Sequence, residues 1–165
     1  MSETLTIPSG TKEEIYRGLL PQIESLVSET DDLIANLANI AAILKQVFNF
    51  HWVGFYRTAK PGLLMLGPFQ GPLACVSIPF DKGVCGHAAR TRESVVVPNV
   101  DEFPGHIACS SLSRSEIVVP LVSADQTQLV LDIDSIDLSA FDSVDRVWLE
   151  RIVGVIAKQH FPSAS

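Results

Sequence analysis

Three cysteines, Cys75, Cys85 and Cys109, are the residues of this sequence best suited to covalent or redox chemistry. An odd number of cysteines cannot pair completely within one chain. Their spacings of ten and 24 residues contain no C-x-x-C pair, so a structural zinc site is not expected. Two interpretations remain open. Either one thiol is reactive, or all three are reduced and buried as small apolar side chains, which is the commoner fate in the cytosol.

Cys109 has the local surroundings that a reactive thiol needs. It lies within residues 103–111, where turn residues and small side chains predict a loop. Such a loop gives solvent access and supplies hydroxyls and amides to a thiolate, and Arg114 or His106 could add positive charge. A lone histidine beside a glycine is nevertheless more typical of a turn than of a catalytic base. Nearby carboxylates would disfavour the thiolate while offering proton donors, and the local sequence leaves that balance open.

Carboxylates and aromatic residues occupy one face of several predicted strands. Successive strand residues point to opposite faces, so the apolar residues of each strand share a face and the remaining side chains share the other. That second face carries acids, a thiol and two aromatic rings: Glu116, Asp132, Asp134, Cys75, Trp52 and Tyr56.

This polar face has two interpretations, a solvated outer surface or a concave polar site. Adjacent exposed acids are common, which suits the first. The face is poor in Lys, Arg and Thr, however, and it carries large aromatic residues. Aspartate is also a poor strand residue, so two in one strand, Asp132 and Asp134, call for compensation. We therefore favour a concave site in which a few polar groups converge.

The elements around these residues predict an α+β domain. A capping box at Thr11 and Glu14 begins a first helix, which Pro21 should bend or delay, and Thr30 or Asp31 caps a second. A short helix is predicted over residues 84–90, and a last helix starts at Asp142 or Ser143 and buries Trp148. Strands are predicted at 51–57, 63–69, 74–79, 94–97, 115–121 and 128–134. Clustered strands with helices at both ends favour an antiparallel sheet flanked by N-terminal helices and a C-terminal helix.

Composition limits the classes of function. The chain has 165 residues, 47% of them hydrophobic and 19% charged, which suits one domain over residues 1–165 with a core at about 30–160. The net charge of −7 repels nucleic acid. No apolar run reaches the roughly 18–20 residues of a membrane span, and residues 1–4 do not open a secretory signal. We expect a soluble, cytoplasmic protein.

Seven short motifs between residues 52 and 135 carry a resemblance to a known family, and the match runs from about residue 30 to residue 160. They are WVGFY (52–56), GPFQG (67–71), AC (74–75), GVCG (83–86), GHIAC (105–109), SEIVVPL (115–121) and LDIDS (131–135). In this order they resemble the free methionine-(R)-sulfoxide reductases, which are enzymes built on a single GAF domain.

The resemblance implies roles for the residues singled out above. It identifies Cys109 as the catalytic cysteine, Cys75 as the main resolving cysteine and Cys85 as a third cysteine near the site that can take part in resolution. It implies a homodimer, an enclosed pocket for the free amino acid and recycling by a thioredoxin-type reductant, with no metal or organic cofactor. Substrate-binding residues would be Trp52, Tyr56, Glu116, Asp132 and Asp134, and Glu116 is the first choice of proton donor.

The fold alone does not fix the function, because GAF domains also serve as small-molecule sensors. The alternative is therefore a sensor that binds a small ligand or responds to redox state without turnover. A purely structural or dimerisation module is the third possibility, and it would not need acids and a thiol around one pocket.

Overall fold

The structure is a computed structural model that describes residues 4–163. The expectation about a secretory signal concerns residues 1–4, and residues 1–3 lie outside the described part. Among the described helices, none is long and apolar enough to cross a membrane.

Six antiparallel strands form one sheet. They are β1 (Trp52–Lys60), β2 (Leu63–Gln70), β3 (Ser77–Pro79), β4 (Val95–Val97), β5 (Ser115–Ser123) and β6 (Gln126–Ser135). Their order across the sheet is β3-β2-β1-β6-β5-β4, and every neighbouring pair is antiparallel. The predicted α+β class with a six-stranded antiparallel sheet is confirmed.

Four helices cover the two faces of the sheet unequally. The helices α1 (Lys12–Val27), α2 (Leu33–Phe48) and α4 (Ser143–His160) pack with Val53 and Phe55 of β1 into one apolar core, which also buries Trp148. The short helix α3 (Gly83–Thr91) packs on the opposite face, in a second cluster with Trp52 and Tyr56. The strand alternation read from the sequence therefore separates two buried faces, and neither is fully solvated.

The two N-terminal helices begin where side chains satisfy their first amides. The predicted capping box at Thr11 and Glu14 is present, and α1 runs through Pro21 with no delay, because Pro21 lies on the exposed face while Leu19 and Ile23 are buried. The cap of α2 is a correction. It is Asp32, whose carboxylate accepts the N–H of Ala35, and not Thr30 or Asp31.

The third strand is shorter than predicted, and this changes the place of Cys75. The strand spans Ser77–Pro79, so Cys75 lies before it and does not belong to an alternating strand face. The reason is that side chains of β1 donate hydrogen bonds to backbone carbonyls of this stretch, in place of the hydrogen bonds of a strand pair. The Trp52 indole donates to Pro72 and the Tyr56 hydroxyl donates to Cys75.

Candidate active site

The register of the three central strands brings the acids together. In β1 and β6, Trp52 pairs with Asp134 and Gly54 pairs with Asp132. In β6 and β5, Asp134 pairs with Glu116. Directly paired residues share a face with their Cβ atoms about 4.5–5.5 Å apart. One row across the sheet therefore carries Trp52, Asp134 and Glu116, and Asp132 lies in the next row.

A glycine makes room for the aromatic wall of this region. A Cβ on Gly54 would lie 2.3 Å from the Cβ of Phe69 and 2.7 Å from the Trp52 ring. The absence of that atom lets the Trp52 ring pack against Phe69, with ring centroids 5.3 Å apart, and against Tyr56, at 5.9 Å. Trp52 and Tyr56 are consequently almost fully buried and fixed in position.

Two segments bring their cysteines together over the acid-bearing face. The Cys75 segment is residues 71–76, before β3, and the Cys109 segment is residues 105–114, before β5. Cys75 and Cys109 form a disulfide with their Cα atoms 5.5 Å apart. The Cys75 carbonyl accepts the Tyr56 hydroxyl at 2.9 Å, which fixes the first segment to β1. On the second segment, the Ser110 hydroxyl lies 3.1 Å from Nε2 of His51, the residue before β1.

Helix α3 closes the space between these segments and the sheet. Its first residue, Gly83, donates its N–H to the Gly105 carbonyl at 3.1 Å, which fixes the start of the Cys109 segment. Gly86 lies so close to β3 that an added Cβ would approach the Pro79 carbonyl oxygen to 2.5 Å. Cys85 is free and buried, and its Sγ lies 4.0 Å from Oε1 of Glu116.

The enclosed space is a small cavity with an apolar and a polar side. It offers about 40 Å³ to the centres of water-sized molecules, and the space that those molecules would themselves occupy is larger. The proposed site residues that line it are Trp52, Tyr56, Cys85, Cys109, Glu116, Asp132 and Asp134, and Cys75 joins this set through its bond to Cys109. The prediction of a concave site is confirmed by this cavity and by the burial of Glu116 and Asp132.

The three acids of the cavity resist ionisation. Burial raises the pKa of the Glu116 carboxyl well above its ordinary value, and the charges of Asp132 and Asp134 raise it further. Burial likewise raises the pKa of Asp134 well above its ordinary value, although the Ser113 hydroxyl opposes this, and it raises the pKa of Asp132. Without a cation, burial therefore favours the protonated, neutral forms of these carboxyls.

The free thiol and the histidine of the cavity are uncharged near neutral pH. Burial, reinforced by the charges of Asp132 and Glu116, raises the pKa of the Cys85 thiol well above its ordinary value. His106 lines the cavity with Nε2 at 3.7 Å from Oε2 of Glu116, and burial lowers its pKa. Histidine at this place was read from the sequence as a turn residue. The neighbouring Gly105 favours a turn, which is why the sequence predicts a turn residue here. Only the fold shows that this turn faces the acids.

Sequence reasoning also missed several smaller lining residues. Their chemistry is ordinary, and no local pattern distinguishes them from packing or turn residues. They are Leu73, Ala74, Ile78, Gly83, Val84, Ile107, Ser110 and Ser113.

The acid cluster is suited to a cation. Among the described residues, one atom each of Cys85, Glu116 and Asp132 lies within 4.8 Å of the other two, a set that could take a divalent metal or an ammonium group. Oδ1 of Asp132 is buried and has no hydrogen-bond partner within the described part of the protein. A buried acceptor of this kind calls for a donor that the folded chain does not supply.

Comparisons with known proteins agree with this arrangement. The sequence profile of the GAF domain matches residues 28–158. The free methionine-R-sulfoxide reductase of Saccharomyces cerevisiae is 43% identical over 155 residues, covering 89% of this chain and 86% of that protein. Its Escherichia coli namesake is 40% identical over 148 residues, covering 89% of each.

A solved structure extends the likeness to three dimensions. The free methionine-R-sulfoxide reductase of Neisseria meningitidis, in complex with its substrate, superposes with a TM-score of 0.94 at 49% identity and covers 98% of both chains. This chain therefore belongs to the GAF-domain family of free methionine-(R)-sulfoxide reductases.

Proposed function

We propose that this protein reduces free L-methionine-(R)-sulfoxide to L-methionine with Cys109 as the nucleophile. The observation that carries the proposal is the Cys75–Cys109 disulfide on the wall of a cavity lined by buried acids. A disulfide in that place is the product expected when a thiol has reduced a ligand held in the cavity and a second thiol has resolved it. A pocket that only binds a ligand would not need this pairing.

The cavity matches the substrate group by group. The substrate ammonium pairs with Asp132 and Asp134, and it supplies the donor that Oδ1 of Asp132 lacks. The rings of Trp52 and Tyr56 hold the methyl group and lie close enough to the acids for a cation–π contact with the ammonium. The carboxylate takes backbone amides of the Cys109 segment.

The reducing step uses a thiol and an acid. The Cys109 thiolate attacks the sulfoxide sulfur while Glu116 donates a proton to the sulfoxide oxygen, which makes the oxygen a better leaving group. The raised pKa of Glu116 keeps that proton available near neutral pH. The protonated oxygen then passes from the substrate sulfur to Sγ of Cys109 as the bond between the two sulfurs breaks. Methionine is released and Cys109 becomes a sulfenic acid, the first and reversible stage of thiol oxidation.

Resolution and recycling restore the thiols. The Cys75 thiol condenses with the sulfenic acid, forming the disulfide and releasing water. A thioredoxin-type dithiol then attacks one sulfur and leaves with its own disulfide. Leu73 is 90% exposed and Val76 is 66% exposed on either side of Cys75, so a protein reductant can reach this surface. We propose that the enzyme is a homodimer, as its family resemblance implies, and that it works in the cytoplasm, as its composition predicts.

The decisive experiment is an assay on the separated R and S epimers of free methionine sulfoxide with thioredoxin, its reductase and NADPH. We expect turnover of the R epimer and none of the S epimer. Cys109→Ser serves as the control for contaminating reductases and should be inactive. Absence of R-epimer turnover by the reduced wild-type protein, with binding of the ligand retained, would favour the sensor function instead.

A further inference from the structure

One end of strand β1 contacts both cysteine segments. The Trp52 indole donates to the Pro72 carbonyl at 3.1 Å, and the Tyr56 hydroxyl donates to the Cys75 carbonyl at 2.9 Å. Nε2 of His51, the residue immediately before β1, lies 3.1 Å from the Ser110 hydroxyl. The same strand end therefore holds the chain on both sides of the disulfide.

The His51 contact lies between the two anchored ends of the Cys109 segment, one residue after a turn in which the Cys109 N–H donates to the Ile107 carbonyl at 3.1 Å. Backbone hydrogen bonds fix the ends of this segment. The Gly105 carbonyl accepts from Gly83 at 3.1 Å, and the Arg114 N–H donates to the Ser135 carbonyl at 2.7 Å. Ser110 lies between these two anchors and next to Cys109. Its hydroxyl also accepts the N–H of Leu112 at 3.3 Å, which orients it toward the histidine.

We propose that His51 is a positioning residue for the redox cycle, holding the Cys109 segment through Ser110 so that the two cysteines stay within reach of each other. His51 contacts neither sulfur in this assignment and takes no part in proton transfer to the substrate. The proposal rests on the proposed function only in treating Cys75 and Cys109 as the redox pair.

The hydrogen bond and the disulfide favour the same position of the Cys109 segment. In the oxidised protein the covalent bond keeps Ser110 beside His51, so the hydrogen bond is formed more fully there than in the dithiol form. In the dithiol form that tie is absent, and the hydrogen bond limits the conformations open to the segment, which raises the effective concentration of one thiol at the other. Loss of the bond therefore favours the dithiol form over the disulfide.

The test measures the thiol–disulfide equilibrium directly in glutathione redox buffers, with thiols trapped by alkylation and counted by mass spectrometry. His51→Phe keeps an aromatic ring and removes both nitrogens. We expect it to lower the equilibrium constant for disulfide formation about fivefold, which is the scale of one neutral hydrogen bond and corresponds to about 20 mV. His51→Gln retains an amide donor and acceptor and should restore most of the loss.

Serine variants separate this hydrogen bond from general packing. Ser110→Ala should lower the equilibrium constant at least as much as His51→Phe, because it also removes the acceptor of the Leu112 N–H. The double variant should be no worse than Ser110→Ala alone, because the His51 contact is already absent there. The neighbouring Ser111→Ala is the matched control and should behave as wild type. A wild-type equilibrium in Ser110→Ala overturns the proposal, even if His51→Phe differs. The measurement uses no methionine sulfoxide, so its outcome is independent of whether the proposed reductase activity is found.

Discussion

At the scale of single residues, the site combines groups that would be unfavourable apart. Glu116 and Asp132 are buried carboxyls on adjacent strands, and the free cysteine of the chain, Cys85, is buried beside them. Burial favours their neutral forms, so protons or a cation must fill the cavity. In the proposed reaction, the same burial that destabilises the folded protein would provide an acid and partners for the substrate ammonium.

The proposed roles of Cys109 as nucleophile and Cys75 as resolving thiol predict how many methionines each chain releases when Cys75 is replaced. Cys75→Ser should release about one methionine per chain from the R epimer and then stop, because the Cys109 sulfenic acid has lost its resolving thiol. Rapid-quench measurement of methionine against active chains tests this, with Cys109→Ser as the zero-turnover control. Continued turnover of Cys75→Ser with thioredoxin would transfer the resolving role to Cys85, the thiol that stays free in the oxidised protein.

The buried glutamate predicts a pH-dependent effect on stability. The folded-state pKa of Glu116 lies well above its ordinary value of 4.5. The stability linked to its proton is therefore fully present below about pH 4.5 and is lost as the pH rises through the folded pKa. Glu116→Gln removes that loss, so the oxidised, substrate-free variant should melt at a higher temperature than wild type at pH 8.

The same melting experiment contains its controls. Each kcal/mol gained corresponds to about 2–4 °C in Tm for a chain of this size, and the gain should shrink toward pH 5. Glu24→Gln, on an exposed part of α1, should leave Tm unchanged at both pH values. A lower Tm for Glu116→Gln at pH 8 would mean that the carboxylate is stabilising and contradict this account of the site. The turnover of Glu116→Gln should also fall, because an amide cannot transfer a proton to the sulfoxide oxygen.

At the scale of elements, the sequence predicts what depends on local periodicity. Strand alternation separates Val53 and Phe55 from Trp52 and Tyr56, and the fold buries these pairs in opposite clusters. The local sequence does not indicate what covers the face that carries Trp52 and Tyr56. Helix α3 and the two cysteine segments reach it through contacts far apart in sequence. The prediction that Cys75 belongs to a strand is wrong because side chains of β1, and not a neighbouring strand backbone, donate hydrogen bonds to the carbonyls of Pro72 and Cys75.

Helix α3 must lie close to the sheet for the cavity to keep its shape. Gly86→Ala would place a Cβ 2.5 Å from the Pro79 carbonyl oxygen and 3.0 Å from that of Phe80, and these backbone atoms cannot easily move. We expect a loss of about 1–3 kcal/mol in the free energy of unfolding. We also expect a raised KM, because α3 carries the lining residues Val84 and Cys85.

A second glycine provides the matched control for this substitution. Gly154 lies on the exposed face of α4, and an added Cβ there meets nothing within 4 Å. Gly154→Ala should raise the free energy of unfolding by roughly 0.5–1 kcal/mol through helix propensity alone and leave KM unchanged. Urea unfolding and steady-state kinetics measure both quantities. Equal effects of the two alanines would contradict the close packing inferred for α3.

At the scale of the whole molecule, one sheet separates two tasks. The face under α1, α2 and α4 is a large apolar core that supplies stability. The opposite face has a smaller cluster into which the acids and the cavity are built. Because the site is walled by the sheet, by α3 and by both cysteine segments, it favours a separate small molecule as its ligand.

This enclosure predicts strong discrimination against substituted substrates. N-acetyl-L-methionine-(R)-sulfoxide keeps the reacting sulfoxide but replaces the ammonium with a bulkier, neutral amide. Charge-assisted hydrogen bonds contribute about 1.5–3 kcal/mol each, so kcat/KM should fall by about a hundredfold or more relative to the free amino acid.

Asp132→Asn tests whether the lost ammonium contact causes this discrimination. It should lower kcat/KM for the free amino acid far more than for the acetylated compound and so narrow the gap between them. An unchanged gap would assign the discrimination to steric exclusion alone, whereas equal kcat/KM for both compounds in the wild-type protein would show that the cavity opens to the surface during turnover.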